Sequence, residues 1–185
     1  MKRMKRMPLI VAIALFAFFG CSDPVTSLYS FREQVFCQFN TLEYATTLNM
    51  VMGNYGEYAT LRMDNSSVPS KIEVKYRNTT EAHTDALITH FQLGLGGLIV
   101  GTNQTGEYLC YDLACPICDR NNRRLTLTND GYAHCPKCGV TFDLNNYGVI
   151  HKMPETNPPA SPRGLYRYYV AYDPDSHIAL IRNAP

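Results

Sequence analysis

Several features that would place this chain quickly are missing from it. It has no tryptophan, no long stretch that keeps a helical period, no internal repeat and no phosphate-cradling glycine loop. His83, His90, His134, His151 and His177 are scattered and form no Ser-His-Asp ordering. With no substrate site marked, turnover by the protein alone is not expected. An apolar run of the about 20 residues that a membrane-crossing helix needs is also absent, since Leu9–Phe19 is too short. Charge of one sign is scarce: 17 Lys+Arg face 16 Asp+Glu over 185 residues, a net +1. Lys2, Arg3, Lys5 and Arg6 lie in residues 1–20 without any acid, so the remainder carries 13 basic and 16 acidic residues, a net −3. The one basic cluster, Arg120, Arg123 and Arg124, reads as a solvated loop edge. Without a basic face, nucleic acid is not an expected partner.

What is present begins with a leader. A basic start, the apolar Leu9–Phe19 and then Gly20-Cys21-Ser22-Asp23 follow the order of a signal peptide, assigned to residues 1–20. Gly20-Cys21 resembles a bacterial lipobox, in which a peptidase cuts before the cysteine and the thiol takes a lipid. Phe18 and Phe19 depart from that pattern, which has Leu three residues before the cysteine and a small residue two before it. The resemblance implies lipidation of Cys21 and a membrane-anchored lipoprotein, on the periplasmic or outer-membrane face of a Gram-negative bacterium. Several acyl chains, each worth roughly 0.8 kcal/mol per buried CH₂, anchor such a protein stably.

Residues 21–185 read as one all-β domain. Short apolar or alternating runs are separated by Gly, Asn, Asp and Pro, and aromatic content rests on 13 Tyr and 8 Phe. The expected strands are Phe31–Phe39, Glu57–Met63, Lys71–Tyr76, Gly97–Val100, Glu107–Tyr111, Arg124–Thr128, Tyr166–Tyr172 and Ile178–Ile181. Leu42–Met52 and Thr80–Thr89 are candidate short helices. Thr128-Asn129-Asp130-Gly131 is a hairpin turn, because Asn, Asp and Gly tolerate positive φ. Gly94, Gly96 and Gly97 fit a turn. Met153–Pro162 is a Pro-rich surface loop, since proline removes ladder donors.

The most specific signal is Cys115-Pro-Ile-Cys118, sixteen residues, then Cys135-Pro-Lys-Cys138-Gly139. Each Cys-x-x-Cys makes a tight knuckle that aims two sulfurs at one centre, and the Thr128–Gly131 hairpin folds the second knuckle onto the first. Four thiolates in a tetrahedron suit zinc or iron. Two disulfides are the competing reading for an exported chain. His134, Lys137 and Gly139 flank the second knuckle and are candidates to support its ligands from outside. Cys37 and Cys110 sit inside expected strands, as buried thiols or as a disulfide pair.

Over residues 95–172 the order of features resembles the Rieske iron–sulfur proteins, and Rieske-like lipoproteins of the Bacteroidetes type. The first half carries Gly96-Gly97-Leu98-Ile99-Val100, then Gly106-Glu107-Tyr108-Leu109-Cys110-Tyr111-Asp112, then a Cys-Pro knuckle. The second carries Cys135-Pro136-Lys137-Cys138-Gly139, Phe142-Asp143-Leu144, Gly148, the Pro-rich loop and Leu165–Val170. The resemblance implies a Rieske-like antiparallel sandwich bearing a small metal-binding subdomain, about residues 113–151. Ligation departs from the family: two histidines hold one iron of a Rieske centre. Here Cys138 stands at the second histidine position and Ile117 at the first, so the site is Cys₄, like two zinc-ribbon or rubredoxin knuckles set in a Rieske frame.

Zinc is the favoured metal. The leader has no Arg-Arg pair of the kind that exports folded, cluster-loaded proteins, and a closed Cys₄ set is the usual structural zinc arrangement. A [2Fe–2S] cluster or a single iron is the alternative. The expected function is accordingly a binding or interaction module acting on a protein partner, or else an electron-transfer protein.

Overall fold

The computed structural model describes residues 33–44, 46–66, 70–83, 91–154 and 162–183. The chain enters with β1 (Val35–Asn40), then α1 (Thr41–Tyr44) and α2 (Thr46–Gly53). Next come β2 (Glu57–Asp64), β3 (Lys71–Tyr76), β4 (Thr79–His83), β5 (Gln92–Leu93), β6 (Leu98–Thr102) and β7 (Tyr108–Asp112). Four short strands follow: β8 (Thr126–Leu127), β9 (Tyr132–His134), β10 (Thr141–Asp143) and β11 (Val149–Lys152). The chain closes with β12 (Arg167–Asp173) and β13 (Ile178–Arg182).

Nine strands form one sheet, in the order β4-β3-β2-β6-β7-β12-β13-β1-β5, and the other four form a second, β11-β10-β9-β8. Strand β12 turns the large sheet. Its Arg167 and Tyr168 pair with β7, while Tyr169–Asp173 pair with β13. Side chains of β1 and β13 thereby share one core with those of β2, β3 and β6.

Alternation builds that first core. Val35, Cys37 and Phe39 point inward from β1 and Ile72 and Val74 from β3, while Phe36, Glu73 and Lys75 face out. The α2 helix plugs one end with Thr47, Leu48, Val51 and Met52. Asn40 Oδ1 caps α1 by accepting from Leu42 and Glu43. Glu81 Oε1 accepts the Thr47 N–H at 3.0 Å, placing a carboxylate at the α2 N-terminus.

Strand β6 breaks the alternation, with all five residues buried. Leu98 and Val100 enter the first core, while Ile99 enters a second core on the opposite face. There Tyr58, Ile99, Leu109 and Tyr111 of the large sheet meet Leu125, Ala133, Val140, Phe142 and Leu144 of the small one. Burial on both faces accounts for the unbroken Leu-Ile-Val run. The small sheet is an excursion between β7 and β12, and its ends stay together: the Asp112 N–H donates to Tyr166 O at 3.1 Å.

Three expectations change. Thr80–His83, the described part of the candidate helix Thr80–Thr89, lies in strand β4, because a tight turn at Arg77 and Asn78 returns the chain antiparallel to β3; residues 84–90 lie outside the described residues. Of Arg124–Thr128 only Thr126–Leu127 is strand, since Arg124 pairs instead with Ala114. Strand β1 begins at Val35, the residues up to 32 lying outside the described part. Among the described residues no helix is long and apolar enough to cross a membrane.

Candidate metal centre

Each knuckle sits at the tip of a hairpin. Past β7, Leu113–Cys115 pair with Arg123–Leu125: Cys115 N–H donates to Arg123 O at 2.8 Å and Leu125 N–H to Leu113 O at 2.9 Å. The second knuckle bridges β9 and β10, with Cys135 N–H donating to Val140 O at 2.9 Å. The Thr128–Gly131 turn that brings the hairpins together is as expected; Gly131 has φ +81° and Thr128 N–H donates to Tyr132 O.

The two knuckles are built alike. Asp119 N–H donates to Cys115 O at 3.1 Å, and Gly139 N–H to Cys135 O at 2.9 Å. The residue after each second cysteine takes positive φ, +50° at Asp119 and +78° at Gly139. The sulfur of each first cysteine accepts from the backbone N–H groups two and three residues on: Ile117 and Cys118 for Cys115, Lys137 and Cys138 for Cys135. Proline between them fits the turn, because its fixed φ is the one required and the N–H it lacks is not used.

The four sulfurs converge. Cys115 Sγ lies 3.7 Å from Cys138 Sγ, Cys118 Sγ lies 3.7 Å from Cys135 Sγ, and all four are within 4.8 Å of one another. Four sulfurs at about 2.3 Å from a single zinc ion stand about 3.8 Å apart along the tetrahedron edges. Donor type, number and spacing therefore fit one tetrahedral ion. Cys115 and Cys135 are fully buried, and Cys118 and Cys138 are half-buried. The thiols share protons: the hydrogen bond from Cys115 holds Cys135 well below the ordinary thiol range and lifts Cys115 well above it. Burial, with neighbouring Cys135 and Cys138, pushes Cys118 up to about 12. A bound cation removes this competition, because a coordinating thiol is deprotonated.

The flanking residues act differently from one another. Gly139 closes the knuckle through its backbone, as does Lys137, whose side chain is exposed. His134 Nδ1 lies 3.2 Å from Thr141 Oγ1 on the paired strand, so its ring is engaged beside the site and not on a sulfur. Cys37 and Cys110 are buried free thiols of the first core. Cys21 lies outside the described residues.

Asp112 is the supporting residue that the sequence did not advertise. Fully buried, it accepts from Leu95 N–H at 2.8 Å, Gly96 N–H at 3.1 Å, Ala114 N–H at 2.8 Å and the Tyr168 hydroxyl at 2.6 Å. It thus joins the Gly94–Gly97 turn, the approach to Cys115 and β12. The available signal was a lone acid inside the apolar run Tyr108–Cys115. The hydroxyls of Tyr58 and Tyr111 both reach Leu144 O at 3.0 Å and tie the small sheet to the large one.

No family model matches the chain, and neither a curated protein nor a solved structure matches it.

Proposed function

We propose that this chain is an exported lipoprotein in which one zinc ion, held by Cys115, Cys118, Cys135 and Cys138, locks a small ribbon onto a β domain that serves as a binding module. The observation that carries the metal reading is the closeness of the four sulfurs, all within 4.8 Å. A two-iron cluster would add the iron–iron separation between its cysteine pairs, whereas these sulfurs close on a single point. Four thiolates fill a tetrahedron and leave no open position for a substrate, which favours a structural ion. Bound there, zinc supplies cohesion between the two hairpins, on the order of 10–16 kcal/mol in small sites.

A single iron is the second reading, and the N–H groups aimed at Cys115 and Cys135 favour it, because hydrogen bonds to sulfur tune an iron–thiolate potential. The Rieske-like reading of the frame is supported by the placement of the metal ribbon as an excursion between two strands of a larger antiparallel sheet. Export rests on the basic, apolar, Gly20-Cys21 order.

Elemental analysis with a visible absorption spectrum tests the metal. One zinc per chain and a colourless protein support the proposal, and a coloured protein with stoichiometric iron moves it to electron transfer. Mass spectrometry of protein extracted from membranes tests the anchor, which requires a chain starting at lipidated Cys21.

A further inference from the structure

The small sheet covers only part of the large sheet's outer face. It sits over β6, β7 and the Tyr58 end of β2 and stops at β8; among the described residues, the same face is left open over the rest of β2 and over β3 and β4. A groove of about 560 Å³ runs along this step, within the usual size of a ligand site. Its floor is the outward row of the large sheet, including Thr60, Arg62 and Lys75, and its wall is the β8 segment, Leu125–Thr128.

Among the described residues the wall is an open strand edge. Thr128 N–H donates to Tyr132 O, so the register that pairs Thr126 with His134 alternates and turns the Leu127 N–H and C=O away from β9. Leu125 N–H, facing the same way, is taken by Leu113 O, and that pairing stops where the chain joins β7 of the large sheet. A further strand beside β8, at the usual 4.7–4.9 Å spacing, would lie in the groove above β2 and β3.

Charge indicates what would lie there. The groove is lined by Arg62, Lys75, Arg77 and Arg124 against two acids, Glu57 and Glu73. Both acids are engaged, Glu73 with Arg62 across the β2–β3 register and Glu57 with Arg77 at 2.6 Å. Lys75 makes no ion pair among the described residues, and Arg124 spends its Nε on Gly96 O. The groove is thus a basic island on a chain whose residues past 20 carry net −3.

We propose that this groove takes an extended, acidic peptide segment of a partner protein, which adds a fifth strand to the small sheet along β8 and sets its acidic side chains over Lys75 and Arg124. The inference deepens the binding-module reading and rests on it. Backbone bonds at Leu127 supply affinity, and the basic floor supplies selection by charge.

The test uses the metal-loaded chain and labelled ten-residue peptides of alternating Thr-Glu or Thr-Lys, followed by fluorescence anisotropy. Thr-Glu should bind and Thr-Lys should not. Lys75→Glu, at an exposed position, should weaken Thr-Glu binding at least tenfold with metal content unchanged. Leu127→Pro, which deletes the edge N–H, should weaken it as well, and hydrogen exchange at Leu127 should slow when the peptide binds. The proposal is overturned if Thr-Glu fails to bind, if Lys75→Glu leaves binding intact, or if the Leu127 amide is already protected in the free protein. It is also overturned if a sulfated oligosaccharide displaces the peptide and leaves the Leu127 amide exposed, since the groove would then read anions alone. Metal content is measured separately, so peptide binding by a chain that takes up no metal would sink the zinc reading and leave the groove standing.

Discussion

The Tyr168 hydroxyl donates to Asp112 Oδ2 at 2.6 Å, and this bond fastens the strand that returns from the metal ribbon to the strand that leads into it. Asp112 carries the approach to Cys115 on its other oxygen through Ala114 N–H. The pair is buried, so each partner left alone has no water to turn to.

Tyr168→Phe should cost about 1.5–3 kcal/mol, the usual value of a hydrogen bond to a charged group. Asp112→Asn should cost more, because an amide brings donors to a place where three N–H groups and a hydroxyl need acceptors. Chemical denaturation measures both. Equal stability of Asp112→Asn and the parent would show that the network is dispensable.

Serine at Cys115, Cys118, Cys135 or Cys138 should abolish stoichiometric metal binding. Hydrogen exchange should then accelerate over β8–β11 while β2, β3 and β6 keep their protection, because the first core contains none of the four ligands. Metal should also leave as pH falls, since protons compete for the thiolates.

The two thiols of the first core make stability fall at high pH. Burial pushes Cys37 up to about 12 and raises Cys110 as well. An unfolded thiol ionises near 8.5, so this stability is complete below about pH 8.5 and is lost as pH climbs toward the folded value. For Cys37 the loss is on the order of 4 kcal/mol by pH 12. Denaturation midpoints against pH should show that slope, and Cys37→Val should flatten it.

The two positive-φ positions that close the knuckles, Asp119 and Gly139, should respond oppositely. Gly139→Ala places a side chain at φ +78°, a cost of about 1–2 kcal/mol, although among the described residues the new methyl would meet only Pro154, at 3.6 Å. Asp119→Gly removes the same kind of strain, together with a buried carboxylate oxygen that has no hydrogen-bond partner among the described residues. It should raise stability by up to about 1 kcal/mol with metal retained. Thermal melts of the metal-loaded variants decide both.

Long strands and the ligand set were legible in the sequence because each obeys a rule that acts locally. Lys71–Tyr76 alternates as a half-buried strand must, and the paired Cys-Pro-x-Cys motifs carry their own turn geometry. The strands not anticipated are short or take their shape from distant partners. β5 is held by β1, and β9 and β10 are three residues each, too short to show a period and positioned by the knuckle between them. β4 follows a turn at Arg77, a residue type that gives no warning of positive φ. Asp112 was silent because its partners, Leu95, Gly96 and Tyr168, are remote in sequence.

The pairing of β1 with β13 has a mechanical consequence. Val35 lies beside Asn183, with Val35 N–H donating to Asn183 Oδ1 at 2.8 Å, and the two strands run antiparallel from that point. A pull that separates residue 35 from residue 183 loads the ladder bonds one after another, so the pair unzips at low force. A pull on residue 35 along the strand axis, resisted from elsewhere in the sheet, would load many bonds together. The direction of tension, more than its size, would then decide whether the domain stays closed.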